Sequence, residues 1–214
     1  MKFTILLSLV LAATSFAQPE PTDLKAVEKK ANAGDAEAQV ALGLAYDQGR
    51  GVQEDRRKAA EWFGKAALQG VAEAQFNLGI MCASGIGVEK DEAKAVAWLD
   101  RAATQGLVDA QFNLANMYAS GRGTEQSFAK ALEWYEKAAT KGMVRAQFNL
   151  GLMHALGQGV PKDSLKAYAW FAAAADDGDP AAKQNRDFIE KKLSAKDKAE
   201  FKKAAKELAK KIKP

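Results

Sequence analysis

The feature that most constrains this chain is a period. Gly49, Gly85, Gly121 and Gly157 open the turns "GRGV", "GIGV", "GRGT" and "GQGV", each 36 residues after the one before. The four tryptophans, Trp62, Trp98, Trp134 and Trp170, keep the same spacing. Self-similarity over roughly 20–50 residues marks stacked units, none of which can bury its apolar faces alone. A glycine pair can also cradle a phosphate, but that loop gathers N–H groups around one anion at a helix start. Here the pairs follow a helical pattern and lead to an Asp or Ser cap, so they read as punctuation.

Each unit reads as helix, turn, helix. The first segments are "AQVALGLAYDQGRGV", "AQFNLGIMCASGIGV", "AQFNLANMYASGRGT" and "AQFNLGLMHALGQGV". Asp55, Asp91, Ser127 and Asp163 stand where the second helix needs an N-cap, and Gly70, Gly106, Gly142 and Gly178 stand where it needs a left-handed stop. On that helix Ala59, Trp62 and Ala66 share a face, which predicts Trp62 as its large core anchor. On the first helix of the second unit, Ala74, Leu78, Met81 and Cys82 form one stripe, and Phe76, Ile80 and Ala83 another on nearly the opposite side. A helix apolar on two sides needs neighbours on both.

The expectation is an all-α, right-handed α/α solenoid of four full repeats, 35–70, 71–106, 107–142 and 143–178. Residues 18–34 supply an N-terminal capping helix, and residues 179–214 supply C-terminal capping helices with a basic tail. The first of these, Ala181 to Leu193, resembles a first helix after the last unit. "SAKD" (Ser194 to Asp197) then reads as a capping box before a helix whose Phe201, Ala204, Ala205, Leu208 and Ile212 share one face.

Residues 1–17 read as a signal peptide: Lys2, an apolar run from Phe3 to Ala13, and small residues placed for a cut after Ala17. The run is shorter than the roughly 20 residues of a membrane span, so the exported chain is expected to be soluble, in the periplasm or secreted. Cys82 is the one cysteine, which leaves no internal disulfide to form. From Glu190 onward ten lysines face four acids, so the basic character belongs to the tail. The repeats carry no basic stripe, and nucleic acid is not expected as a partner. For the tail, the first reading is docking on the last repeat with its lysines solvated. The second is peripheral contact with an anionic membrane or an acidic partner.

The combined pattern of glycines, Trp and "KAA" across Asp35 to Gly178 resembles the SEL-one-like repeat family, a relative of tetratricopeptide repeats. The resemblance implies stacked helix pairs with a concave surface, used as protein-binding adaptors, with no shared catalytic residues. Ala115 departs from the glycine at 43, 79 and 151, and Cys82 and His154 replace the tyrosines at 46 and 118. A cysteine-rich exported branch of the family is associated with β-lactam hydrolysis or binding, and its per-repeat disulfide has no counterpart in a chain with Cys82 alone.

The sole cysteine and the sole histidine invite a nucleophile and base reading. They occupy the same repeat position two units apart, which at about 8–10 Å per packed helix separates them by roughly 16–20 Å. Both read as core substitutes for Tyr, and neither a metal site, a cofactor nor a catalytic residue is expected. By the tetratricopeptide orientation, Phe76, Asn77, Phe112, Asn113, Asn116, Phe148 and Asn149 approach the concave side, where amides can hydrogen-bond a peptide backbone and rings give contact area. The alternative is that the phenylalanines pack between first helices and the asparagines brace a turn. The expected function is an exported non-catalytic adaptor for a protein or peptide. The runner-up is a cell-envelope hydrolase of the β-lactam or peptidoglycan kind.

Overall fold

The computed structural model describes residues 24–212. The expected signal peptide lies outside the described residues, as does the start of the N-terminal cap. Among the described residues there are eleven helices and no strand. Helix α1 (Leu24–Asn32) precedes four pairs: α2 (Ala36–Gln48) with α3 (Arg56–Leu68), α4 (Ala72–Ser84) with α5 (Glu92–Thr104), α6 (Val108–Ser120) with α7 (Phe128–Ala139), and α8 (Val144–Leu156) with α9 (Ser164–Asp176). Two further helices follow, α10 (Pro180–Glu190) and α11 (Ala195–Ala209).

The pairs are bounded by the residues that the period marks. Asp55, Asp91, Ser127 and Asp163 each accept a hydrogen bond from the backbone N–H three residues on, at 2.9–3.3 Å. At the other end, Gly70 adopts a φ of 92°. Its N–H donates to the Ala67 carbonyl while that of Val71 donates to Ala66, the paired bonds of a Schellman stop. The same two bonds close α5, α7 and α9.

The described residues form two compact units, 24–114 with 122–125, and 115–121 with 126–212. In the first, α1 packs on α2, α2 on α3, α3 on α4 and α4 on α5. Both stripes of α4 are buried, from Ala74 through Ala83, as a helix with two apolar sides requires. The large anchor of α3 is not Trp62, which is half-buried, but the next residue: Phe63 is 1% exposed. One residue is about 100° around a helix, enough to move the tryptophan from the core to its rim. There Lys65 Nζ lies 3.6 Å from the Trp62 ring centroid and the Arg101 guanidinium 4.6 Å from that of Trp98. Phe63 fits because Gly43 faces it: a Cβ at Gly43 would lie 2.7 Å from its ring.

A glutamine ladder joins successive turns of this unit. Gln75 Nε2 donates to the Ala67 carbonyl, and Gln105 Nε2 donates both to Gln75 Oε1 at 2.8 Å and to the Gly70 carbonyl at 2.9 Å. Gln39 and Gln69 repeat the arrangement. The second glycine of the later pairs also joins repeats: a Cβ on Gly87 would lie 2.2 Å from the Arg56 carbonyl oxygen, and one on Gly123 2.1 Å from that of Glu92. Arg122, between the glycines of its turn, binds Glu92 through two N–H groups at 2.8 and 3.0 Å.

In the second unit α7 packs on α8, α8 on α9, and α9 on both α10 and α11. Phe171, Ala167, Ala174 and Ala182 form one of its buried clusters, so α10 stands against α9 much as a first helix would. Ser194 caps α11, accepting from the Asp197 N–H. Phe201, Ala204, Ala205, Leu208 and Ile212 are the half-buried residues of the apolar side read from the sequence, and Phe201 meets Tyr168 edge-on at 5.5 Å. The basic tail therefore folds back on the second helix of the last repeat.

Candidate interaction surface

The first helices supply the residues expected to recognise a partner. In the first unit Phe76, Asn77, Phe112 and Asn113 are all buried. Asn113 Nδ2 donates to the Asp109 carbonyl one turn back, at 2.7 Å. Asn77 occupies the same place in its repeat, yet its Nδ2 has no hydrogen-bond partner. Buried amide donors are almost always paired, and leaving one unpaired costs about 1–3 kcal/mol. One turn of α4 thus carries an unspent donor where α6 carries a spent one.

The second unit brings together two of the expected residues through a third that the sequence reading missed. The hydroxyl of Tyr135, on α7, donates to Asn116 Oδ1 at 2.5 Å. Burial pushes the Tyr135 phenol well above its usual range, and a hydrogen bond from Asn149 works against that shift. Asn116, Tyr135 and Asn149 are therefore one polar cluster. Other repeats have Leu44, Ile80 and Leu152 at the position of Asn116, and Phe63, Leu99 and Phe171 at that of Tyr135. A polar residue arriving at both places in the same repeat was the available signal. Phe148 is half-buried and sets its ring 5.7 Å from that of Phe171, so much of its surface serves the core.

The residues with catalytic potential sit in ordinary repeat positions. Cys82 is buried, and burial first, then the Asp91 charge, push its thiol up, away from the reactive thiolate. His154 is 3% exposed with no partner for Nδ1. Burial, then Lys166, pull its pKa below the usual histidine range, against the pull of Asp163. The tyrosines they replace stand under lysines: Lys58 Nζ is 5.2 Å from the Tyr46 ring and Lys130 Nζ 5.1 Å from that of Tyr118. Among the described residues no three His, Cys, Asp or Glu side chains gather as metal ligands would.

The comparison with known families accounts for this repetition. The Sel1 repeat matches four consecutive stretches, residues 36–71, 72–107, 108–143 and 144–179. The chain belongs to the Sel1 repeat family. Two solved Sel1-like structures resemble it. One is c5321, described as a protective antigen present in uropathogenic Escherichia coli strains displaying an SLR fold, at 37% identity and a TM-score of 0.78 over 88% of this chain. The other is a Sel1 repeat protein from Oxalobacter formigenes, at 38% identity and a TM-score of 0.70 over 78% of this chain. The matches span 41% and 48% of those two chains, so this chain corresponds to under half of either. No curated protein matches it. Sel1 repeat proteins are in general protein-interaction scaffolds and typically non-catalytic. Among the described residues no helix is long and apolar enough to cross a membrane.

Proposed function

We propose that this Sel1 repeat protein is an exported, non-catalytic scaffold that binds a protein or peptide along the face of its first helices. The observation that carries the reading is Asn77: its side-chain donor is buried without a partner, and a small shift of the side chains over it would offer it to the carbonyl of an extended chain. Phe76, Phe112, Asn113, Asn116, Phe148 and Asn149 complete the proposed face, with Asn116 and Asn149 ordered by Tyr135. A preordered amide loses little entropy on binding, which favours recognition by a formed surface. Nucleic acid fits poorly because the lysine excess lies in the tail. The lipid reading of that tail has less support, because α11 turns its apolar side to α9.

A photo-crosslinking residue at Asn149, compared with one at Ala97 on the exposed side of α5, tests the face in the native compartment. Adducts are expected from position 149 and not from 97, and the reverse pattern would sink the reading. Purified residues 18–214 should turn over neither a β-lactam nor peptidoglycan; hydrolysis would favour the enzyme class. The native protein is expected to begin at Gln18 by mass spectrometry, and a retained Met1 would remove export.

A further inference from the structure

We propose that the outer side of α9 is a docking site for a basic amphipathic helix of another protein, and that α11 occupies this site in cis. The site is separate from the first-helix face and does not depend on it. Three observations carry it. The first is the character of α9. Every residue from Ala167 to Ala174 is buried, and Ala169 and Ala173 stand where α7 has Glu133 and Lys137, both exposed. A second helix that is apolar all round needs a cover.

The second observation is that α11, which leaves those α9 residues buried, is itself only half-buried on its inner side. No residue of α11 is buried. Its contacts include the Phe201–Tyr168 edge and an ion pair between Lys202 and Glu190 at 3.0 Å, and Glu190 also accepts from the Tyr168 hydroxyl at 3.2 Å. Two crevices remain beside it. One, of about 420 Å³, is lined by His154, Ala169, Trp170, Ala204 and Leu208 among others. Another, of about 500 Å³, has Val144, Ala173 and Ile212 in its walls. Both crevices open to solvent along the seam between α9 and α11, so α11 fits as an occupant that can be displaced.

The third is the chemistry that α11 displays. Phe201, Ala204 and Leu208 fall at i, i+3 and i+7, the anchor spacing of a helix laid on an apolar groove, and Lys202 follows the first anchor to meet Glu190. A better occupant keeps the aromatic and the cation and places a larger aliphatic side chain where α11 has Ala204, filling the crevice under it.

The test uses a labelled peptide of sequence 194–212 carrying Ala204→Leu. It is titrated by fluorescence anisotropy against the full chain and against the full chain with Phe201→Glu and Leu208→Glu, which alter α11 and leave the repeats untouched. Freed of its cis competitor, the variant is expected to bind at least about tenfold more tightly than the parent. Equal affinities, or no binding to either, would overturn the proposal. A concentration-dependent dimer of the parent that the variant loses would assign the face to exchange between copies, and would also overturn it. Hydrogen exchange on the parent is the second readout: α11 amides are expected to exchange faster than those of α9 and α10, and equal protection argues against displacement.

Discussion

Helices α7 and α9 are the same element of successive repeats, yet their outer sides differ in kind. On α7, Trp134 is half-buried with Lys137 Nζ 3.8 Å from its ring centroid, between exposed Glu133 and Glu136. On α9, Trp170 is 7% exposed and the three corresponding positions are Ala169, Ala172 and Ala173. The cation that shields the first tryptophan is absent from the second, whose shield is another helix. A repeat position thus carries two separable instructions: the inner one, Tyr135 or Phe171, builds the core, and the outer one states whether water or protein lies outside.

The most direct way to break this contrast is to give α9 the outer side of α7. Ala169→Glu with Ala173→Lys is expected to release α11 and lower unfolding free energy by about 2 kcal/mol, the scale of burying unpaired polar groups. Urea denaturation checks the energy, and loss of α11 amide protection checks the cause. An unchanged denaturation midpoint would show that the alanines are not what holds α11.

A smaller difference lies at the end of α9. Gln69 and Gln105 donate to the ladder glutamine of their own repeat, but the fourth repeat has Asp177, whose side chain has no N–H to give, and Gln147 Oε1 is left without a partner. Asp177→Gln is expected to stabilise the chain by about 1 kcal/mol, the net worth of one buried hydrogen bond. Thermal denaturation reads the gain, and a loss would mean that the Asp177 charge matters more than the missing donor.

The smallest effect concerns His154 beside the α11 crevice. Its pKa is depressed by burial in the folded chain, so on acidification below about 6.5 the unfolded chain takes the proton first and stability is lost. Lys166 and Lys211 around it disfavour the added charge, while Asp163, Glu136 and Glu207 favour it. Burial raises Glu136, which contributes the opposite slope nearer the carboxylate range. The unfolding midpoint is therefore expected to drop as the pH falls through about 6.5, and His154→Tyr, the residue of repeats one and three, should flatten that drop. A drop of the same size in the variant would assign the slope elsewhere.

The repeat was legible because spacing carries it: caps, stops and both apolar stripes of α4 are local patterns read at 36-residue intervals. The anchor of the second helix was misplaced by one residue, since the largest side chain drew the assignment away from Phe63, and one residue turns a helix by about 100°. Of the proposed face, Asn77 and Asn113 look identical in sequence, and their hydrogen bonds differ only in three dimensions. The Asn116 and Tyr135 pair and the alanine outer side of α9 were readable, but as departures between repeats rather than as the pattern they share.

The glycines that rest on the preceding repeat carry one more consequence. Gly87 and Gly123 put main chain against main chain, at Arg56 and Glu92, and Gly159 does the same at Phe128 in the second unit. A junction made of backbone does not consult the side chains around it. Whole repeats can then be duplicated or deleted in evolution while their outer residues diversify freely, and a single unit of 36 residues becomes a part that genomes can count.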